Sequence, residues 1–305
     1  LISKTVKLVW MYMFSQSFLQ LNTIFISILI EAIPFVLIGV FISGFIQMFI
    51  TEEMIAKVIP KNRFLAVLSA AFIGALFPAC ECGIVPIVRR LLLKGVPLHA
   101  GIAFMLTGPV INPIVLFSTY IAFGNQWDMP LYRGGLSFIV AILVGSIISW
   151  QFSGSQLLDK GSLHTHCHAP GKQTFSKKFV GMLRHAIEEF FSVGKYLIIG
   201  AFIAAAMQTY VKTSTLLEIG QTEAASHLVM MGLAFVLSLC SEADAFIASS
   251  FRSTFSTGSL IAFLVFGAMV DIKNLLMMLG TFKKRFVMYL IVYIAIFVFI
   301  GSLLI

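Results

Sequence analysis

Apolar runs of membrane-crossing length, broken by short polar stretches, dominate the chain. Thr23 to Ile50 holds one charge, Glu31, and Phe286 to Ile305 holds none. About 20 mostly apolar residues suffice to cross the hydrocarbon as a helix. The pattern predicts spans over 18–49, 64–80, 99–123, 131–151, 186–211, 226–242, 257–280 and 286–305. Two further pieces, 84–99 with Arg89, Arg90 and Lys94 and 245–258 with Arg252, are too short or too charged for lipid-facing spans. They read as re-entrant half-helices and raise the count from eight to ten if they cross. The expected fold is an all-α, polytopic helical membrane protein, because lipid offers no partner to an open backbone N–H or C=O.

The polar stretch 152–185 divides the spans four and four, giving 1–151, a linker, and 186–305. The two parts resemble each other at an offset near 160. "PFVLIGVFISGFIQMFI" (34–50) resembles "KYLIIGAFIAAAMQTYV" (195–211), with Gly39 on Gly200. "FPACECGI" (77–84) falls on "LSLCSEAD" (237–244), with Cys80 on Cys240. "FMLTGPVINP" (104–113) falls on "FLVFGAMVDI" (263–272), with Asn112 on Asp271. The expectation is two repeated halves, inverted if the short pieces cross and parallel if they turn back. Loops carrying Lys and Arg should lie in the cytoplasm. In an eight-span path this places 88–99 and the linker inside but puts Lys283, Lys284 and Arg285 outside.

Composition strengthens the membrane reading. The 305 residues are 59% hydrophobic and 11% charged, with mean hydropathy +0.99; soluble domains carry about 25% charged residues. The net charge of +8 is expected to anchor loops at one membrane face, not to bind nucleic acid. The first apolar stretch is too long for a signal-peptide core. The small residues Gly39, Ser43, Gly200 and Ala204 suggest close helix packing.

Candidate chemistry concentrates in "FPACECGIVP" (77–86). Cys80 and Cys82, at i and i+2, do not face each other on a straight helix. They can meet one ligand only where the backbone unwinds, and Pro78, Gly83 and Pro86 favour that. Unwound backbone at membrane depth is tolerated where it is buried or lines a cavity. Thiolates suit soft cations, and trivalent arsenic for the same reason. Cys240, Glu242 and Asp244 extend the set, and Glu81 belongs to the same class of intramembrane carboxylate. Cys80, Cys82, Cys240 and Glu242 form a candidate metal set; a sulfur–carboxylate group could hold a borderline cation such as zinc. The plainer readings are cysteine as a small buried hydrophobe, and Glu242 and Asp244 as water-facing residues or partners of Arg252.

Asn112 and Asp271 would face each other across the repeat axis, or else mark structural kinks with Asp271 paired to Lys273. Glu31 is a candidate proton relay or gate, whereas Glu188 and Glu189 read as interfacial beside Arg184 and His185. The linker tract His164, His166, Cys167 and His168 is either a loose metal-collecting loop or a mobile polar loop. No nucleophile–His–acid set, P-loop or dinucleotide fingerprint appears. Neither an enzyme nor a resident cofactor is therefore expected, and any metal would be cargo.

Pro78-Ala79-Cys80-Glu81-Cys82-Gly83-Ile84-Val85-Pro86, with the continuation "RRLLLKGVPLHAGIAFMLTGPVINPIV", resembles the signature of the bacterial predicted-permease family that includes organoarsenical efflux permeases. The resemblance covers most of the chain apart from 152–180. It implies a secondary transporter of the inner membrane, in some members accompanied by a second membrane subunit; a homo-oligomer is also open. Glu81 between the cysteines and the His-rich linker, judged by ligand chemistry, favour a cationic metal over an arsenical. Three readings follow: a permease for soft or borderline metal species, an organoarsenical permease using thiols only, and a membrane thiol oxidoreductase. The last would need a strained Cys80–Cys82 exchange pair.

Overall fold

A computed structural model describes residues 2–49, 51, 54, 59, 60, 62–152, 154–158, 175–210 and 223–305. Twelve helices occupy the described residues. The first six are α1 (Ile2–Phe49), α2 (Arg63–Leu76), α3 (Glu81–Leu93), α4 (Leu98–Ile111), α5 (Pro113–Ala122) and α6 (Asp128–Gln151). The second six are α7 (Phe175–Tyr210), α8 (Glu223–Leu237), α9 (Ser241–Ser250), α10 (Thr257–Met269), α11 (Ile272–Thr281) and α12 (Lys284–Leu303). Each set runs in the same order: a long helix, a pair interrupted at a cysteine, a pair interrupted at Asn112 or Asp271, and a closing helix.

Each of the eight expected apolar segments is helical over most of its described residues, with breaks at 77–80, 112, 238–240 and 270–271. Six stretches are long and apolar enough to cross a membrane: Gln16–Gln47, Leu98–Ala122, Asp128–Gln151, Phe179–Tyr210, Thr257–Thr281 and Lys284–Leu303. The other two, Arg63–Leu76 and Ala224–Leu237, are shorter apolar helices.

Contacts between helix ends fix the path. At one end Arg63, opening α2, donates to the Ser149 carbonyl near the close of α6 at 3.1 Å. Phe152, just past α6, packs edge-on against Phe286 at the start of α12. Arg90, near the close of α3, bonds Glu189 in the early part of α7. Leu158 N–H donates to the carbonyl of Thr281, the last residue of α11. At the other end Arg252, past α9, bonds Gln126 between α5 and α6 at 3.0 Å, and His227 early in α8 meets Ser302 at the close of α12 at 2.8 Å.

α2 and α3 therefore enter and leave by the same end, as a hairpin that turns midway at 77–80. α8 and α9 form a second hairpin from the opposite end, turning at 238–240. The pieces expected at 84–99 and 245–258 are the return arms of these hairpins. α4–α5 and α10–α11 cross in opposite directions, each broken once. With the hairpins re-entrant, the six long spans are the crossings, and the second half follows the course of the first upside down.

This path gathers basic residues at one end. Arg63, Arg89, Arg90, Lys94, Arg184, Lys283, Lys284 and Arg285 all lie in or beside its loops. The conflict in the eight-span path over Lys283 to Arg285 disappears, because neither 64–80 nor 226–242 crosses.

The core surrounds the hairpins. α10 is buried from Gly258 to Met269, and α3 from Glu81 to Val88. α1 and α7 pack together through Phe25 and Phe202 and through Ile28, Ala201 and Ala204. α1 reaches α3 where two glycines meet: a Cβ on Gly39 would lie 2.5 Å from the Gly83 carbonyl oxygen. Gly200 likewise lets α7 press on α11, where a Cβ would come within 2.9 Å of Lys273 Cα. The small residues noted in the sequence serve this packing, as small residues do between membrane helices.

Candidate functional site

Four helices begin near mid-depth, and their first residues decide the site's chemistry. Asn112 caps α5, accepting from Ile114 N–H at 2.9 Å, with Pro113 at the first helical position where its missing N–H costs nothing. Asp271 caps α11, accepting from Asn274 N–H at 2.6 Å. Both are favoured N-cap types. At the hairpin tips the N-caps are Cys80 and Cys240, extended in backbone, and neither side chain caps its helix. A thiol stands at both places where local stability favours Ser, Asp or Asn. Helix N-termini carry partial positive charge, so both tips present unshared backbone dipole beside a sulfur atom.

The tips touch. The Ser241 hydroxyl, at the start of α9, donates to Glu81, at the start of α3. Cys80 sits before the helix, at the end of the unwound 77–80 segment, and Cys82 lies in the first turn. Cys240 lies within electrostatic range of Cys82 and Glu81. All three thiols are free and buried. The second tip is locally strained: Ser238 has φ of +49°, uncommon for a residue with a side chain, and its hydroxyl accepts from Lys273 N–H at 3.5 Å.

Charged groups surround the tips. Glu81, Asp244 and Asp271 are each 1% exposed. Asp271 pairs with Lys273 at 3.5 Å, both side chains almost fully buried. Arg133 on α6 is fully buried; it donates to Thr119 Oγ1 at 2.8 Å and to the Ser241 carbonyl at 3.0 Å. Arg133 and Lys273, not Arg252, are the basic groups within electrostatic range of Asp244. Arg133 Nε, Asp244 Oδ1 and Asn274 Oδ1 are buried without a hydrogen-bond partner.

Among the expected site residues, Cys80, Glu81, Cys82, Cys240, Asp244 and Asp271 are buried around the tips, and Glu242 is half-buried on α9. Asn112 and Asp271 do not reach for each other; each side chain turns back on its own helix, and the pairing of Asp271 with Lys273 holds. Glu31 is half-buried on α1, within electrostatic range of Cys82, Cys240 and Asp244. Among the described residues no three His, Cys, Asp or Glu side chains are placed to hold a metal ion. Cys80, Cys82, Cys240 and Glu242 are accordingly not drawn around one centre, since two of the thiols open separate hairpin arms. His164, His166, Cys167 and His168 lie outside the described residues. Glu189 is buried, 2% exposed and paired with Arg90, whereas Glu188 stays at the surface with Arg184 and His185. Sequence reasoning missed Arg133; its signal was a lone arginine inside the apolar stretch 131–151, since charge within a span points inward.

Comparison with known proteins points to a membrane permease. A family model described as "Predicted permease" (ArsP_1) matches residues 17–305. The chain is 73% identical over 290 residues to "UPF0718 protein YcgR" of Bacillus subtilis, covering 95% of this chain and 98% of that protein. It is 46% identical over 273 residues to the "Putative two-component membrane permease complex subunit" of Streptococcus mutans, covering 90% of each. A third relative, "UPF0718 protein MJ0584" of Methanocaldococcus jannaschii, is 26% identical over 128 residues, 41% of this chain and 34% of that protein. No solved structure matches.

Proposed function

The chain belongs to the ArsP_1 predicted-permease family, and from that premise we propose a secondary permease for thiophilic or borderline metal and metalloid species. It is a multi-pass membrane protein of a permease family, which points to transport, not to catalysis. Cys80, Cys82 and Cys240 supply sulfur to the cargo, while Glu81, Glu242 and Asp271 supply charge. The observation that carries this reading is the meeting of two opposed hairpins tip to tip, each opened by an uncapping cysteine. Repeat-built transporters place their site at mid-depth on broken helices, and the inverted course of the two halves suits such a duplication.

The basic end faces the cytoplasm in this proposal, by the distribution of Lys and Arg, which also puts 152–185 on the cytoplasmic side of a bacterial inner membrane. A second membrane subunit joins the chain, on the printed description of the Streptococcus mutans relative. The thiol-only reading, an organoarsenical cargo, gains from one observation: the three thiols are buried while Glu242 is only half-buried.

Cell-associated metal and arsenic measured by mass spectrometry test the proposal, comparing wild type with Cys80→Ser, Cys82→Ser and Glu242→Gln. Loss of a cargo-dependent difference in all three supports the sulfur–carboxylate site. Loss in the cysteine variants alone supports the thiol-only cargo. Unchanged content of every element in all three removes both.

A further inference from the structure

Away from the hairpin tips, one buried carboxylate joins three helices from both halves. Glu189 on α7 accepts from Ser43 Oγ of α1 at 2.7 Å and from Arg90 Nε of α3 at 2.8 Å through Oε2. Its Oε1 takes Arg89 Nη1 at 3.5 Å. The carboxylate is 1% exposed and the arginines 23% and 15%, so the cluster closes against water at the basic end. α3 links this cluster to the tips: Glu81 and Cys82 open the helix, and Arg89 and Arg90 lie about 13 Å along it at 1.5 Å per residue.

The space beside the cluster is narrow. A cavity of about 10 Å³ separates α3, α7 and α11, lined by Arg89, Ser192, Tyr196 and Gly280 among others; that is about the room one water needs. The far end differs. There a cavity of about 390 Å³ opens among Gln126, Asp128, Tyr132, Arg252 and Thr257. Its tie is Arg252 to Gln126 and to the Phe123 carbonyl, with no carboxylate in it.

We infer that Glu189, with Arg89, Arg90 and Ser43, forms the gate of the basic end, and that this conformation is closed there. Apolar packing of α1 against α7 holds the frame whether the gate is shut or open, so the ion pairs are free to report on α3. Cargo at Cys82 and Glu81 draws on the same short rigid helix that carries the arginines. A ligand shifts such an equilibrium only by its differential affinity for the two states, and α3 is where that difference is felt. The inference rests on the transport reading, but its test needs no cargo.

The test uses the full chain in sealed membrane vesicles of either orientation, with Cys167→Ser as background so that only the hairpin thiols react. The probe is a positively charged, membrane-impermeant methanethiosulfonate. Glu189→Gln is expected to raise the labelling rate from the basic end by about tenfold, the order set by losing hydrogen bonds to a charged group. Labelling from the far end should not rise. Ser43→Ala, which keeps every charge, should act in the same direction more weakly and carries the test if Glu189→Gln does not fold. Exchanging the charges in Glu189→Arg with Arg90→Glu should slow labelling again. A rate unchanged from the basic end in a monodisperse variant, or one raised equally from both ends, overturns the gate.

Discussion

The two hairpins occupy corresponding places in the two halves, yet they are held differently. The first is roofed by α1, where Gly39 meets Gly83, and is buried along eight consecutive residues from Glu81 to Val88. It ends in the arginines held by Glu189. The second is shorter and more open: α9 keeps Ser241, Asp244, Ala245 and Ala248 buried, while Phe246 is 52% exposed. It ends in Arg252 beside the larger cavity. α1 and α7 both lie on the side of α3 and α11, where Gly83 and Lys273 receive them, and this breaks the likeness of the halves. A duplicated course thus does not produce duplicated closure; small residues at contact points decide which hairpin is clamped.

Three pairs of substitutions probe how the two halves are held. The largest effect is expected at Asp271, whose removal leaves Lys273 charged and buried. Asp271→Ala should cost about 3–5 kcal/mol, the usual loss when one partner of a buried pair is removed. Asn112→Ala, at the corresponding cap without a buried cation, should cost about 1 kcal/mol. Thermal unfolding of the purified protein in detergent measures both; equal losses would deny the ion pair its role.

The next contrast is steric. Gly83→Leu places a side chain against α1 and should cost about 1–3 kcal/mol by overpacking. Ala243→Leu, at the corresponding half-buried position of the second hairpin, should stay within about 0.5 kcal/mol. Comparable melting points for the two would mean that both hairpins are clamped alike.

The smallest effect separates packing from chemistry at the tips. Serine is a favoured N-cap, so Cys80→Ser and Cys240→Ser should leave stability unchanged or raise it by up to about 1 kcal/mol. Both should nonetheless lose the cargo-dependent change in cell content. A marked drop in melting temperature would return these thiols to the role of buried hydrophobes.

Much of this arrangement was legible from residue types. Pro78, Gly83 and Pro86 around two cysteines announced unwound backbone; the structure unwinds at 77–80, around Pro78 and Cys80, while Cys82, Gly83 and Pro86 lie within α3. Gly108-Pro109 and Asn112-Pro113 announced a broken crossing, and the break falls at Asn112. The pairing of Asp271 with Lys273 was one of two readings that the sequence left open, and it is the one found. Arg133 escaped notice, and Glu189 reads from the sequence only as interfacial, because their partners lie 108 and 99 residues away.

Hydropathy and helix-breaking residues determined that the chain lies in a bilayer as helices and where those helices break, because the energies concerned are local: apolar transfer residue by residue, and backbone hydrogen bonds within one segment. The tertiary structure alone decided that two of the apolar segments turn back, that the halves run in opposite directions, and that the cysteine tips meet. Those outcomes depend on which distant surfaces fit, as Gly39 fits Gly83 and Glu189 fits Arg90, and shape complementarity between remote segments leaves no periodic trace in a sequence.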